Sequence, residues 1–175
     1  ERDAYIEKKY RHKWRRLIKK KSSHRLIGLH WQGNPKFETK LYSKGRSMNF
    51  NEFLALKDLN NVEYISLQKG AASSQLDMNA GLSFAEGQSH FSKSFNFLDT
   101  AAVLANCDLL ISNDTSVAHL AGAMGIPTWI TLKYIPEWRW GLKDNKSPWY
   151  ESVRLFRQSS EGYWSSVMSE IVYNL

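Results

Sequence analysis

The chain has 175 residues, 42% hydrophobic and 23% charged, enough for one domain with a real core and too apolar for a disordered segment. Its single cysteine, Cys107, excludes an internal disulfide framework and a thiolate metal cluster. That cysteine falls in an apolar run, where a buried, inert thiol is expected, and this fits a reducing, cytoplasmic compartment. No stretch has the length of a membrane span or the pattern of a signal peptide. The net charge of +7 is unevenly spread: residues 1–25 hold eleven of the 24 bases and three of the 17 acids. The remaining residues are close to neutral, which argues against a nucleic-acid surface on the main domain, though not on the basic arm.

In chain order, residues 4–20 predict an amphipathic basic helix. Ile6, Tyr10, Trp14, Leu17 and Ile18 recur near a period of 3.6, with Lys and Arg between them. The sequence divides there into a basic helix and linker, residues 1–24, and an α/β domain, residues 25–175. Arg25 to Trp31 predicts the first strand, ended by Gln32-Gly33-Asn34-Pro35. Gly33 suits either a close backbone approach to a ligand or the turn itself. A polar, basic loop follows through Ser47. Asn49 and Glu52 have capping-box spacing and open a helix leading to a strand at Val62–Leu67. Lys69 follows at the carboxyl end of that strand. It suits phosphate oxygens as a point charge, or simply a solvated loop.

Between residues 71 and 97 only Leu82 to Phe84 reads as a short strand. Asp99 to Asn106 predicts a helix capped by Asp99. The stretch Asp108–Leu132 reads as strand, tight turn, helix, turn, strand. Such a βαβ unit makes the sheet parallel, and parallel sheets bind ligands at the carboxyl ends of their strands. Asp114, Thr115 and Ser116 fall at that end and at a helix N-terminus, where unpaired N–H groups and the helix dipole suit a phosphate. His119, four residues after Thr115, shares its helix face. The same residues also suit an N-cap and a histidine that packs on the sheet. A tryptophan-rich loop, in which Arg139 is the one candidate ligand contact, leads to a strand at Val153–Phe156. A closing helix spans 162–175.

Five stretches occur in order with familiar spacings: Ile27 to Pro35, Ser66 to Gly70, Asp99 to Ala102, Asn113 to Gly122 and Trp138 to Trp140. From Leu26 onward the chain resembles the C-terminal half of the catalytic region of tetratricopeptide-repeat glycosyltransferases. These are relatives of bacterial heptosyltransferases (glycosyltransferase family 9) and, more distantly, of O-linked N-acetylglucosamine transferases. The resemblance implies a Rossmann-like three-layer α/β/α domain with a mainly parallel sheet, the C-terminal half of a GT-B fold. It implies binding of a nucleoside-diphosphate sugar as donor substrate for an inverting transfer, without metal or other cofactor. Thr115 and Ser116 would hold the diphosphate, and Lys69 would be the catalytic cation on the leaving group. Asp114 would orient the turn or a donor hydroxyl, His119 would lie beneath the phosphates or sugar, and Gly33 and Asn34 would line the cleft.

The size of the chain implies a fragment, or the product of a split gene. The N-terminal Rossmann-like half, with the acceptor site and catalytic base, and any repeat domain are expected as partners. Alone, the chain would be inactive and prone to self-association through the exposed cleft face. The alternative is a non-catalytic nucleotide-sugar-binding module. A hydrolase built on Asp114 and His119 has no nucleophile-elbow pattern to support it.

Overall fold

A computed structural model describes residues 6–39, 44–78, 80–94 and 96–175. Five strands form one parallel sheet: β1 (Arg25–His30), β2 (Val62–Ser66), β3 (Leu109–Asn113), β4 (Thr128–Leu132) and β5 (Val153–Arg157). Their order is β2-β1-β3-β4-β5, so the winding reverses between β1 and β3. The central pairing sets Ile27 beside Leu109 and His30 beside Ser112. β3 is buried along its whole length and β1 from Leu26 onward, as strands covered on both faces must be.

Two apolar layers sandwich the sheet. On one side α1 (Lys8–Ile18), α3 (Phe97–Leu104) and α4 (Ser116–Ala123) enclose Leu26, Ile65, Leu67 and Leu110. On the other, α5 (Trp164–Asn174) and a 3₁₀ turn over Phe50–Leu56 cover Ile27, Leu29, Leu109 and Ile111. Alternation along each strand explains the division: Leu26 points to one layer, Ile27 to the other. Cys107 is fully buried, with its thiol on the Val103 carbonyl. A short helix α2 (Gln88–Ser92) precedes α3.

The first helix is part of this core. Trp14 and Ile18 are buried, and the basic residues of α1 take its outer face. Gly87 allows the close approach: a Cβ there would lie 2.7 Å from the Ile18 Cα. Residues 4 and 5 of the predicted helix lie outside the described residues, and Ile6 and Glu7 precede its first turn.

Three local expectations are corrected. Helix α3 is capped by Asn96, whose Oδ1 accepts from the Asp99 N–H at 2.6 Å; Asp99 sits inside the first turn. The segment after Asn49 is 3₁₀ rather than α-helical, and the Asn49 side chain accepts from Asn51, not Glu52. Leu82 to Phe84 makes only an isolated parallel bridge, Tyr64 to Phe84. Of the polar loop before Ser47, residues 35–37 form a 3₁₀ turn started by the Asn34 side chain, and residues 40–43 lie outside the described residues.

Candidate functional site

The reversal between β1 and β3 splays apart the loops that follow them, and a crevice forms at such a switch point. Here it is a cleft of about 740 Å³. Gly33 and Asn34 after β1, Lys69 after β2, and Thr115 and Ser116 after β3 all line it. Strands far apart in sequence thus deliver five of the seven sequence-predicted residues to one cavity.

Lys69 is held on the wall of that cleft. Its Nζ donates to the Phe91 carbonyl and lies 3.7 Å from the centroid of the Phe91 ring. Burial lowers its pKa to about 8, against the opposing pull of the Asp99 charge. The neighbouring Gln68 sets the loop. Its Oε1 accepts from the N–H groups of Trp31 and Gln32, and its Nε2 donates to the carbonyls of Gln32 and Lys69. The loops after β1 and β2 are therefore stapled together by one buried amide.

At the end of β3, Thr115 is the N-cap residue of α4, yet it makes no side-chain cap hydrogen bond. Its hydroxyl lies 3.4 Å from both the Asn113 carbonyl and His30 Nδ1. The first turn of α4 thus keeps its N–H groups free of a hydroxyl cap where Ser116 and Val117 meet the cleft.

His30, which sequence reasoning passed over, lies beneath this turn and lines the cleft. Its Nδ1 is 3.1 Å from Asn113 Oδ1, while Asn113 Nδ2 donates to the Arg46 carbonyl at 3.4 Å. That orientation of the amide makes Nδ1 the protonated nitrogen and leaves the lone pair on Nε2. Burial lowers the His30 pKa to about 4, more than the hydrogen bond to Asn113 restores. The unfolded chain, with an ordinary histidine near 6.5, then binds the extra proton between about pH 6.5 and 4. Stability should rise by about 3 kcal/mol across that window and stay level above it. Urea unfolding of the chain and of His30→Gln from pH 4.5 to 7.5 checks this: the variant should lose the slope. The depressed carboxylates Asp99 and Asp114 act with the same sign, but below their ordinary value of 3.8.

Asp114 and His119 do not line the large cleft. His119 stacks on Trp140 at 5.2 Å and 22°, with Nδ1 3.1 Å from the Tyr150 hydroxyl and Nε2 3.6 Å from Asp114 Oδ1. Arg139 reaches the same carboxylate oxygen at 3.9 Å. Burial pushes the Asp114 carboxyl up, but His119, Trp140 and Arg139 around it more than offset this and hold it low. Asp114 instead faces a second, smaller cavity shared with Arg46 and Arg139.

Arg46 lines both cavities. Its guanidinium lies over Gly33, where a Cβ would come within 2.6 Å of Nη2. Gly33 is thus a gap filled by an arginine rather than a strained turn. Histidine and asparagine at the ends of otherwise apolar strands were the available signal for His30 and Asn113; nothing local marks Arg46. Among the described residues, no group of three or more His, Cys, Asp or Glu is placed to hold a metal ion. None of their helices is long and apolar enough to cross a membrane.

Residues 91–161 match the model of glycosyltransferase family 9 (heptosyltransferase). That segment holds Asp114, Thr115, Ser116 and His119; Gly33, Asn34 and Lys69 precede it. Over 73 residues the chain is 36% identical to Protein FlbA of Caulobacter vibrioides, covering 42% of this chain and 12% of that protein. Among solved structures, the glycosyl transferase family 9 from Veillonella parvula superposes with a TM-score of 0.67 at 10% identity, over 96% of this chain and 51% of that one. The chain therefore spans about half the length of the solved structure it matches. Its parallel five-stranded sheet with flanking helices is a Rossmann-like, glycosyltransferase-type fold, and residues 91–161 resemble glycosyltransferase family 9.

Proposed function

We propose that this chain is the nucleotide-sugar-binding half of an inverting, metal-independent glycosyltransferase of GT-B architecture, of the tetratricopeptide-repeat type that its motifs resemble. One observation carries the reading: Lys69, Gly33, Asn34, Thr115 and Ser116 line a single cleft at the switch point of the sheet. The donor's diphosphate lies between the Lys69 ammonium and the N-terminal turn of α4. Both supply positive charge from fixed positions, so no divalent cation is required. As the bond from the anomeric carbon to the diphosphate breaks, negative charge grows on the leaving oxygen, and this preorganised field stabilises it. The acceptor and the base that deprotonates it belong to a second Rossmann-like half facing the cleft.

Calorimetric titration of the chain with UDP, ADP, GDP and CDP, in EDTA and then with magnesium, tests the proposal. One nucleoside diphosphate should bind, equally well in both conditions. Failure of all four to bind overturns the donor-domain reading, and binding only with magnesium overturns its metal independence.

A further inference from the structure

At the amino-terminal edge of the sheet, opposite the cleft, a cavity of about 470 Å³ lies between α1, the linker that follows it and the turn before β3. Two side chains hold its walls together. Asp108 Oδ2 accepts from the Leu26 N–H at 2.7 Å and from the Lys20 ammonium at 3.0 Å. Asn106 Nδ2 donates to the Arg11 carbonyl at 3.2 Å and to the Ala102 carbonyl at 2.8 Å. Among the described residues, the lining carries four cations, Arg11, Arg15, Lys19 and Lys20, against one carboxylate, Asp108.

The excess of positive charge comes from α1 and its C-terminal end. Residues 8–21 hold nine Lys or Arg and no Asp or Glu. Arg11 and Arg15 stand one turn apart on one face, where like charges repel. The C-terminal end of the helix dipole offsets only about half an elementary charge, and only within the last turn. Glu86 meets Lys19 at 3.1 Å, but both side chains are largely exposed, so water screens the pair. Trp14 and Ile18 anchor the helix in the core, so the cations stand on a fixed scaffold rather than on a loose arm.

We infer that this cavity binds phosphate groups, two or more on one anion, either a soluble polyphosphate or a lipid headgroup. The planar guanidinium groups of Arg11 and Arg15 match pairs of phosphate oxygens, while Lys19 and the Ser22 hydroxyl add donors at the rim. Ile18, Leu26 and Ala105 give the cavity an apolar floor, and its volume is that of a small-molecule site. Nucleic acid fits less well. Tyr10 and Trp14 pack on the core, so α1 offers no exposed ring on which a base could stack. The cavity shares no lining residue with the cleft, and the inference stands apart from the proposed function.

Calorimetric titration with tripolyphosphate at fixed ionic strength tests it. The proteins are the chain, the double variant Arg15→Gln/Lys19→Gln, and the charge-matched control Lys8→Gln/Arg16→Gln, whose side chains lie outside the cavity. All four exchanged residues are exposed, and thermal unfolding confirms that both variants are folded. The pocket variant should bind about tenfold more weakly, and the control should stay within about twofold of the unmodified chain. Lys69→Ala is titrated as well, because tripolyphosphate can also enter the cleft; binding at the pocket should survive it. Flotation with cardiolipin vesicles tells the two sources apart: capture that the pocket variant loses and the control keeps names a lipid headgroup, and its absence beside tripolyphosphate binding names a soluble anion. Equal losses in the two double variants mean a diffuse basic surface and overturn the inference. So does a loss confined to Lys69→Ala, tighter binding of an oligouridine than of either probe, or no binding of tripolyphosphate and vesicles alike.

Discussion

Replacing Trp14 by alanine should cost about 4 kcal/mol of unfolding free energy, measured by urea denaturation at pH 7. The indole is 2% exposed. It packs edge-on against Phe91 at 5.6 Å in the layer that joins α1 to α3. Its N–H also donates to Asp99 Oδ1 at 2.7 Å. That carboxylate takes further hydrogen bonds from Ser94 and Asn96, at 2.7 and 2.8 Å. Burial opposes its charge, but these donors hold its pKa below the ordinary value. Alanine therefore opens a cavity and removes one donor from a buried anion at the same time. Trp14→Phe separates the two effects: the packing survives, and the lost donor alone should cost about 2 kcal/mol. Equal losses for the two variants would mean that the hydrogen bond carries the effect and the ring does not. Asn96, Phe97 and Thr100 line the cleft, so the first helix also braces the wall of the candidate site.

The second large effect is expected at Lys69. Lys69→Ala should weaken nucleoside-diphosphate binding by about 10- to 100-fold, since it removes a charge-assisted contact to phosphate. The pH dependence gives an independent check. With its pKa near 8 in the free protein, Lys69 is protonated at pH 7 and loses its proton well below the usual lysine range. A bound diphosphate favours the charged amine, so affinity should be level near pH 7 and fall by up to about tenfold per unit above pH 8. Phosphate ionisation, with its second pKa near 6, is already complete there. The alanine variant should show a flat profile over the same range. A wild-type profile that stays flat to pH 9.5 would remove Lys69 from the diphosphate site.

The sheet and its carboxyl edge were readable because strand runs such as Leu109 to Ile111 are short, apolar and punctuated by turns. The grouping of Lys69 with Thr115 and Ser116 followed from the parallel topology alone, since every strand then ends at the same edge. What the pattern could not convey was the direction of individual side chains. Thr115 and His119 are four apart, but Thr115 is the extended N-cap residue, so the helical spacing does not place them on one face. His119 turns instead toward Trp140 and Tyr150, which arrive from a loop after β4. Nor could the pattern convey that Gln68 and Asn113 tie one loop to another over 36 and 67 residues. The exchange of Asn96 for Asp99 as helix cap has a similar cause, because both residue types cap well and only the backbone decides between them.

The pairing of Ile27 with Leu109 also fixes an order of events at the ribosome. These residues are 82 positions apart in the chain, and synthesis runs at about 5–20 residues per second. The first strand is therefore finished roughly 4–16 s before its central partner exists. During that interval β2 can pair with one edge of β1, but the other edge waits, with Leu26, Ile27 and Leu29 on a strand that is later covered from Leu26 onward. Parallel pairings of this span are slow for the same reason, as a long loop must close before the contact is formed. Residues 25–67 therefore keep apolar surface uncovered on the nascent chain until β3 has been made.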